Sequence, residues 1–427
     1  MKKEEILLLQ YKDVLEKIQN QESHFFLGNG FNRGLGIDTS YKAIFNKMIE
    51  NDHGIYKDAK NIIKESGDDL EIFIGKLVSD IKSDNYFLKK YVANKVKFDF
   101  MKSAHEIVKA EIKNIYAERN EGIFILLKNF TNYFTLNYDS FLYLLLLNFK
   151  SNNPCQEKNI AMEPPALFKE QDMNDTQNNI YTEIKQARIN GTLNINVGNN
   201  SKPIVKQMSE LTKTHFTTEI KQYSKSNDKN WKDKDIQKVV DEILNEEKNN
   251  KTLEKVDDGS IQESLFDGSS EYVFNIDKST QNLFFLHGAF HIYRDGKKEK
   301  KITQLTDKPL YDKLEEILNN QERDIICIFQ AENKIEEINK SEYLKKSYNK
   351  LSELSGSIVI IGCSLSYNDK HVFDQINKSK INTLYISTRK EKYKENYNNA
   401  KSKFPNSEIV MFEAESISYE LPKDLPI

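Results

Sequence analysis

The chain reads as an α/β protein: a Rossmann-like, doubly wound parallel sheet with helical insertions. Three observations predict it. Short apolar runs that read as strands alternate with stretches of helical periodicity. One run, residues 357–361 (SIVII), has the continuous apolar character of a strand buried on both faces. Several runs end in glycine or polar residues just where helical sequence begins, which is where an open parallel sheet binds its ligands.

Residues 3–20 carry Ile6, Leu7, Tyr11, Val14, Leu15 and Ile18 at helical spacing. Glu4, Glu5 and Asp13 interrupt the apolar run, so an amphipathic helix is expected and not a signal peptide. The first strand, Phe25 to Leu27, breaks at Gly28-Asn29-Gly30 and continues past Gly34 and Gly36, in the spacing G-x-G-x3-G-x-G. Glycines let backbone approach a phosphate, and the next helix offers unpaired N–H groups to it. The plain alternative is a tight turn. A helix is expected from Ser40 to about Glu50. Periodic apolar residues then run through 55–120, with Leu70, Ile74, Leu77 and Ile81 in one stripe and Val96, Phe100, Ile107, Ile112 and Ile115 extending the pattern. This predicts a helical insertion at about 51–125 within a first domain part, 1–150. Tyr133 to Leu136 is the next strand, leading into Asn137-Tyr138-Asp139, and the apolar 142–149 reads as a buried helix.

Residues 151–270 turn polar and read as an insertion of short helices and loops. Asn190-Gly191 is placed to turn a hairpin between 186–189 and 192–197, and Trp231 reads as a local packing anchor. The second domain part, 271–427, holds strands at 271–276, 282–286, 324–329, 357–361, 383–387 and 408–412. Helical sequence fills 307–322, 333–355 and 371–378.

Composition narrows the function classes. At 427 residues the chain has the length of two or three domains. Its net charge of -3 provides no global basic field, which argues against direct nucleic-acid binding. No run approaches the ~18 apolar residues of a membrane span. Three scattered cysteines, Cys155, Cys327 and Cys363, exclude a cysteine zinc finger and a disulfide framework, and they suit a reducing cytoplasm.

Four strand ends carry chemistry. Asn137 offers both donor and acceptor to a water or a ribose hydroxyl, while the plain alternative is that Asn137 or Asp139 caps the next helix. His287 follows an apolar run and precedes Gly288, so it is either a general base or a hydrogen-bonded core histidine. His291 stands four residues on, without the carboxylate a metal pair would have, and no metal is expected. Gly362 and Ser364 are placed to offer N–H groups and a hydroxyl to a phosphate or ribose, and Asp369 and His371 open the next helix as caps. Cys363 reads as an inert strand-end thiol.

Taken in order, Leu27–Phe31 (L-G-N-G-F), Thr135–Asp139 (T-x-N-Y-D), Leu286–Gly288 (L-H-G) and Gly362–Asp369 (G-x-S-L-x-x-N-D) resemble the SIR2-like family, the sirtuin fold in its bacterial defence branch. The resemblance implies NAD as ligand and substrate. Its pyrophosphate would lie on the loop Gly28, Asn29, Gly30, Phe31, with Asn137 and His287 as the catalytic pair and Asp139 near the nicotinamide. Gly362, Ser364 and Asp369 would form the later ribose and phosphate loop. The implied activity is an NAD glycohydrolase that releases nicotinamide and ADP-ribose, as an abortive-infection effector against phage. The alternatives are a silent sensor of NAD or ADP-ribose, a regulated subunit acting as a homo-oligomer or with a HerA-type ATPase, and an NAD-dependent protein deacylase. The chain lacks the four-cysteine zinc module of deacylating sirtuins, and its polar insertion is long; both argue against deacylation.

Overall fold

The computed structural model describes residues 7–19, 21–52, 86–118, 126–148, 174–189, 210–241, 256–264, 270–303, 310–320, 322–328 and 334–417, with positions 54, 56, 123, 193 and 243. The stripe Leu70, Ile74, Leu77 and Ile81 lies outside the described residues. The chain forms two compact units, residues 1–150 with 255–422 as one and residues 151–254 as the other.

The strands of the larger unit are β1 (Leu8–Leu9), β2 (Ser23–Leu27), β3 (Asn132–Thr135), β4 (Ser260–Ser264), β5 (Ser270–Phe274), β6 (Leu283–Phe285), β7 (Gly288–Asp295), β8 (Lys298–Lys301), β9 (Arg323–Cys327), β10 (Ser355–Ile361), β11 (Lys380–Thr388) and β12 (Glu408–Glu413). Seven form one all-parallel sheet in the order β1-β12-β11-β10-β2-β3-β6. After the short edge strand β1, the chain enters the middle of the sheet at β2 and moves outward through β3 to β6. It then returns to β10 beside β2 and moves outward the other way. That reversal is the doubly wound arrangement, and its switch point lies between β2 and β10. Register pairs Ser357 with Ser23 and Ile361 with Leu27, so the two strands end level. Every residue of β2, β3 and β6 is buried, because layers of side chains cover both faces. On one face Phe26, Phe134, Phe284, Ile358 and Ile360 pack with Val372, Phe373 and Phe404. On the other, Phe25 meets Phe31, Phe130 and Tyr133.

Two expected strands leave this sheet. Those at 271–276 and 324–329 belong to a five-stranded antiparallel sheet, β4-β5-β8-β7-β9. They pair with the two strands of a hairpin, β5 with β8 and β9 with β7, and loop length is what makes that hairpin. Only Leu286 and His287 separate β6 from β7, and two residues separate β7 from β8. A parallel neighbour needs a crossover of a dozen residues or more, whereas a two-residue link makes a hairpin. At the N-terminus, part of the helix expected over 3–20 is instead β1, paired with Met411 and Phe412 at the sheet edge. The helix begins at Tyr11, where Asp13 accepts from the Gln10 N–H at 2.9 Å.

The described insertion helix, Tyr86–Glu118, runs 33 residues. Its Val96, Phe100, Met101 and Ala104 join Ile44 and Met48 of helix Tyr41–Asn51 in one core with Phe290, Tyr293, Leu314 and Ile317. Ser40 caps helix Tyr41–Asn51 by accepting from the Ala43 N–H.

The second unit has its own core of Ile180, Ile184, Phe216, Ile220, Ile236 and Val240. Trp231 packs against that core and stacks on Tyr223 at 6.1 Å. Residues 186–189 end helix Asp175–Ile189 and form no hairpin strand, since Ile184 and Ala187 continue a helical stripe into the core. Asn190 and Gly191 lie outside the described residues.

Candidate functional site

Three glycines interlock at the switch point. The Gly28 N–H donates to the Ile361 carbonyl at 3.0 Å and the Gly30 N–H to the Gly362 carbonyl at 2.8 Å. A Cβ at Gly28 would stand 2.7 Å from the Gly362 oxygen, and one at Gly30 2.6 Å from the Gly362 Cα. Gly362 has φ +67°, and a Cβ there would stand 2.1 Å from the Phe31 nitrogen. The glycines therefore let two loops touch, and the Gly28 and Gly30 N–H groups are already bonded. Of this turn, the Asn29 N–H forms no bond to a described residue. Gly28, Asn29 and Gly30 line the cavity, and the helix expected to offer its first N–H groups begins at Asn29. The expected ligand contact of Phe31 is corrected. Its ring is fully buried against Phe25 and Phe141, away from the cavity wall, because the helix Asn29–Gly34 turns that face into the core.

A buried amide network stands beside the turn. Asn137 Nδ2 donates to Asn32 Oδ1 at 3.2 Å. Asn32 Nδ2 donates to Thr39 Oγ1 at 3.0 Å and to Asp139 Oδ2 at 2.9 Å. Thr39 in turn donates to Asn29 Oδ1 at 2.6 Å. The hub, Asn32, is fully buried and was not singled out from the sequence, although it follows Asn29 by one helical turn. Asn137 Oδ1 accepts from no described residue and is left for a ligand or a water. Asp139 Oδ1 also accepts from the Phe141 N–H at 2.9 Å, so the capping role and the site position coincide in one side chain. Burial pushes the Asp139 carboxyl up to about 6, against the pull of the Phe141 and Asn32 donors.

Opposite, buried His287, His371 and Lys334 form a second cluster with the partly buried Asp369. His287 Nε2 lies 3.3 Å from His371 Nε2 and 3.8 Å from Asp369 Oδ1. Lys334 Nζ donates to Asp369 at 3.3 Å. The His371 ring lies between those of His287 and Tyr348. Burial, then the Lys334 charge and His371, hold His287 well below its usual range, so it is neutral at pH 7. Burial and Lys334 also bring His371 down to about 4, although Asp369 pulls the other way. His371 thus does more than open its helix, and Lys334 came from helical sequence that carried no motif. Gly288 follows His287 because φ is +77° there and a Cβ would stand 1.9 Å from the Ile326 oxygen.

One cavity of about 630 Å³ collects these groups. Gly28, Asn29, Gly30, Asn137, Asp139, His287, Gly362, Ser364 and Asp369 all line it. Tyr41, Ile44, Phe100, Ala104, Tyr138 and Phe290 make an apolar chamber at one end, and Ser387, Thr388, Arg389, Lys392 and Asn396 make a polar end beyond β10 and β11. Cys363 also lines the wall, with its thiol pushed up to about 12 by burial, so no thiolate is present at neutral pH. His291 sits outside the cavity, stacked on Tyr143 at 5.3 Å, with neither ring nitrogen hydrogen-bonded. Among the described residues no group of three or more His, Cys, Asp or Glu is placed to hold a metal ion. Among them, too, no helix is long and apolar enough to cross a membrane.

Fold and cavity together define a doubly wound α/β protein with a ligand-sized cavity at its switch point. Residues 238–419 match the family model described as a domain of unknown function, DUF4917. That match takes in His287, Lys334, the loop Gly362–Asp369 and Arg389, and it ends short of the glycine turn and of Asn137. A search among curated proteins finds no match.

Proposed function

We propose that this protein is a SIR2-like NAD glycohydrolase that cleaves NAD to nicotinamide and ADP-ribose, working in the cytoplasm as an anti-phage effector. One observation carries the reading: four motifs far apart in sequence meet on one cavity at the switch point, with Asn137 and His287 both on its wall. The apolar chamber beside Asn137 suits the nicotinamide ring, and Asp139 lies within reach of its carboxamide.

In this mechanism the bond from ribose C1 to the pyridinium nitrogen breaks, and its electron pair neutralises the leaving nicotinamide. Asn137 Oδ1 accepts from a ribose hydroxyl or from the attacking water and holds it at C1. His287, neutral at pH 7, takes the proton as the new C–O bond forms. Asp369, 3.8 Å away, is the carboxylate placed to stabilise the imidazolium. Assembly with further copies, or with a HerA-type ATPase, belongs to the same proposal.

The test is chromatography of NAD incubated with the purified chain and with His287→Ala and Asn137→Ala, at several protein concentrations. Nicotinamide and ADP-ribose from the wild type, reduced at least about a hundredfold in both variants, are expected. Undiminished turnover by either variant sinks the assigned roles. Bound NAD with no product would favour a sensor, and acetate released from an acetyl-lysine peptide would favour a deacylase.

A further inference from the structure

The polar end of the cavity names the dinucleotide more closely. This assignment rests on the NAD glycohydrolase proposed above. With the glycosidic bond held between Asn137 and His287, at the ends of β3 and β6, the rest of the ligand runs across Gly28 and Gly362. It reaches the ends of β10 and β11, where Ser364, Ser387, Thr388, Asn396, Arg389 and Lys392 line the cavity.

Charge is uneven along that path. Lys334 is paired with Asp369 at 3.3 Å and Arg33 stands 3.8 Å from Asp38. Arg389 and Lys392 form no ion pair or side-chain hydrogen bond with a described residue. The two carboxylates on the cavity wall are engaged elsewhere, Asp139 with Asn32 and Asp369 with Lys334. A site that selects an unmodified adenosine ribose uses a carboxylate to accept from its hydroxyls, whereas an arginine accommodates a ribose phosphate. The backbone at Arg389 is anchored. Buried Thr388 donates to the Arg389 carbonyl at 3.2 Å and accepts from Asn396 Nδ2 at 2.7 Å. Arg389 and Lys392 are exposed at this end, and a guanidinium on an anchored backbone presents paired donors to a phosphate, with the lysine as a second charge.

We propose that the β11 end of the cavity holds a phosphate monoester on the adenosine ribose, so that the chain takes 2′-phosphorylated dinucleotides of the NADP type in preference to NAD. The test is isothermal titration calorimetry of the full chain with two ligand pairs that the proposed reaction does not consume: ADP-ribose against 2′-phospho-ADP-ribose, and 5′-AMP against 2′,5′-ADP. Within each pair the ligands differ only in the ribose phosphate, so a contact to the pyrophosphate cancels. The phosphorylated member is expected to bind about tenfold tighter or more. Arg389→Ala with Lys392→Ala should abolish that preference and leave ADP-ribose affinity within about twofold. Lys390→Ala, at an exposed lysine off the cavity wall, should leave the preference intact. Equal affinities within each pair, or a preference that survives the double substitution, overturn the phosphate site while bound ADP-ribose keeps the dinucleotide reading. Failure of all four ligands to bind overturns both.

Discussion

His287 and His371 face one another through their Nε2 atoms at 3.3 Å, so one must donate and the other accept. A backbone hydrogen bond to Asn368 engages the His371 ring, and His371 Nε2 then serves as the acceptor. That makes His371 a positioning residue that fixes the tautomer of His287. His371→Ala is expected to lower NAD turnover by about ten- to a hundredfold and to move the acid limb of the kcat/KM profile upward, because the influence of His371 that helps hold His287 down is removed. His371→Gln, whose amide oxygen still accepts, should recover much of the rate; rates and pH profiles of both variants check this. His291 shows the opposite economy. It is buried between Tyr143 and Phe285 with both ring nitrogens unpaired, and burial brings it down to about 4. His291→Phe should stabilise the protein by on the order of 1–3 kcal/mol, more at pH 5 than at pH 8, as read by thermal melts.

Elements place these side chains. Where β2 and β10 end, the glycine loops are in backbone contact, and Gly362→Ala would force a Cβ to 2.1 Å from the Phe31 nitrogen at a positive φ. A loss on the order of 3 kcal/mol or more is expected in denaturant melts, since neither backbone can yield without moving a strand end. Helix Tyr86–Glu118 contributes Phe100 and Ala104 to the apolar chamber, so an insertion outside the sheet shapes the site. Ala104→Leu keeps a strong helix former and fills the chamber. The KM for NAD should rise about tenfold or more, with a loss of stability on the order of 1–3 kcal/mol from overpacking this buried position; a KM that does not move would separate the chamber from the ligand.

At the scale of the molecule, pH acts through several buried histidines. His24, His105, His287, His291 and His371 all lie below the usual histidine value of 6.5, with burial as the leading cause. Each binds its proton more readily unfolded than folded. Their contribution is therefore present above about pH 6.5 and is lost as pH falls toward 4. Asp139, raised to about 6, acts with the opposite sign: its contribution is present below its unfolded value and lost as pH rises through 6. The histidines outnumber it, so the urea midpoint is expected to fall between pH 6.5 and 4. Legible in the residues alone were the α/β class, the strands at 25–27, 133–136, 282–286, 357–361, 383–387 and 408–412 to within a residue or two, and the polar residues at their ends. Apolar runs and the residues that break them are local properties, so they can be read one stretch at a time. Which strands pair was decided by the tertiary structure. The strands at 271–276 and 324–329 look as apolar as their neighbours, yet they pair with the β7–β8 hairpin in a second, antiparallel sheet. Only the fold brought Asn32 under Asn137, set His371 and Lys334 beside His287, and bonded the Gly28 and Gly30 N–H groups to the end of β10 and the loop after it. Such partners lie tens to hundreds of residues apart, and no local pattern encodes a contact that exists only when two strand ends arrive at the same place.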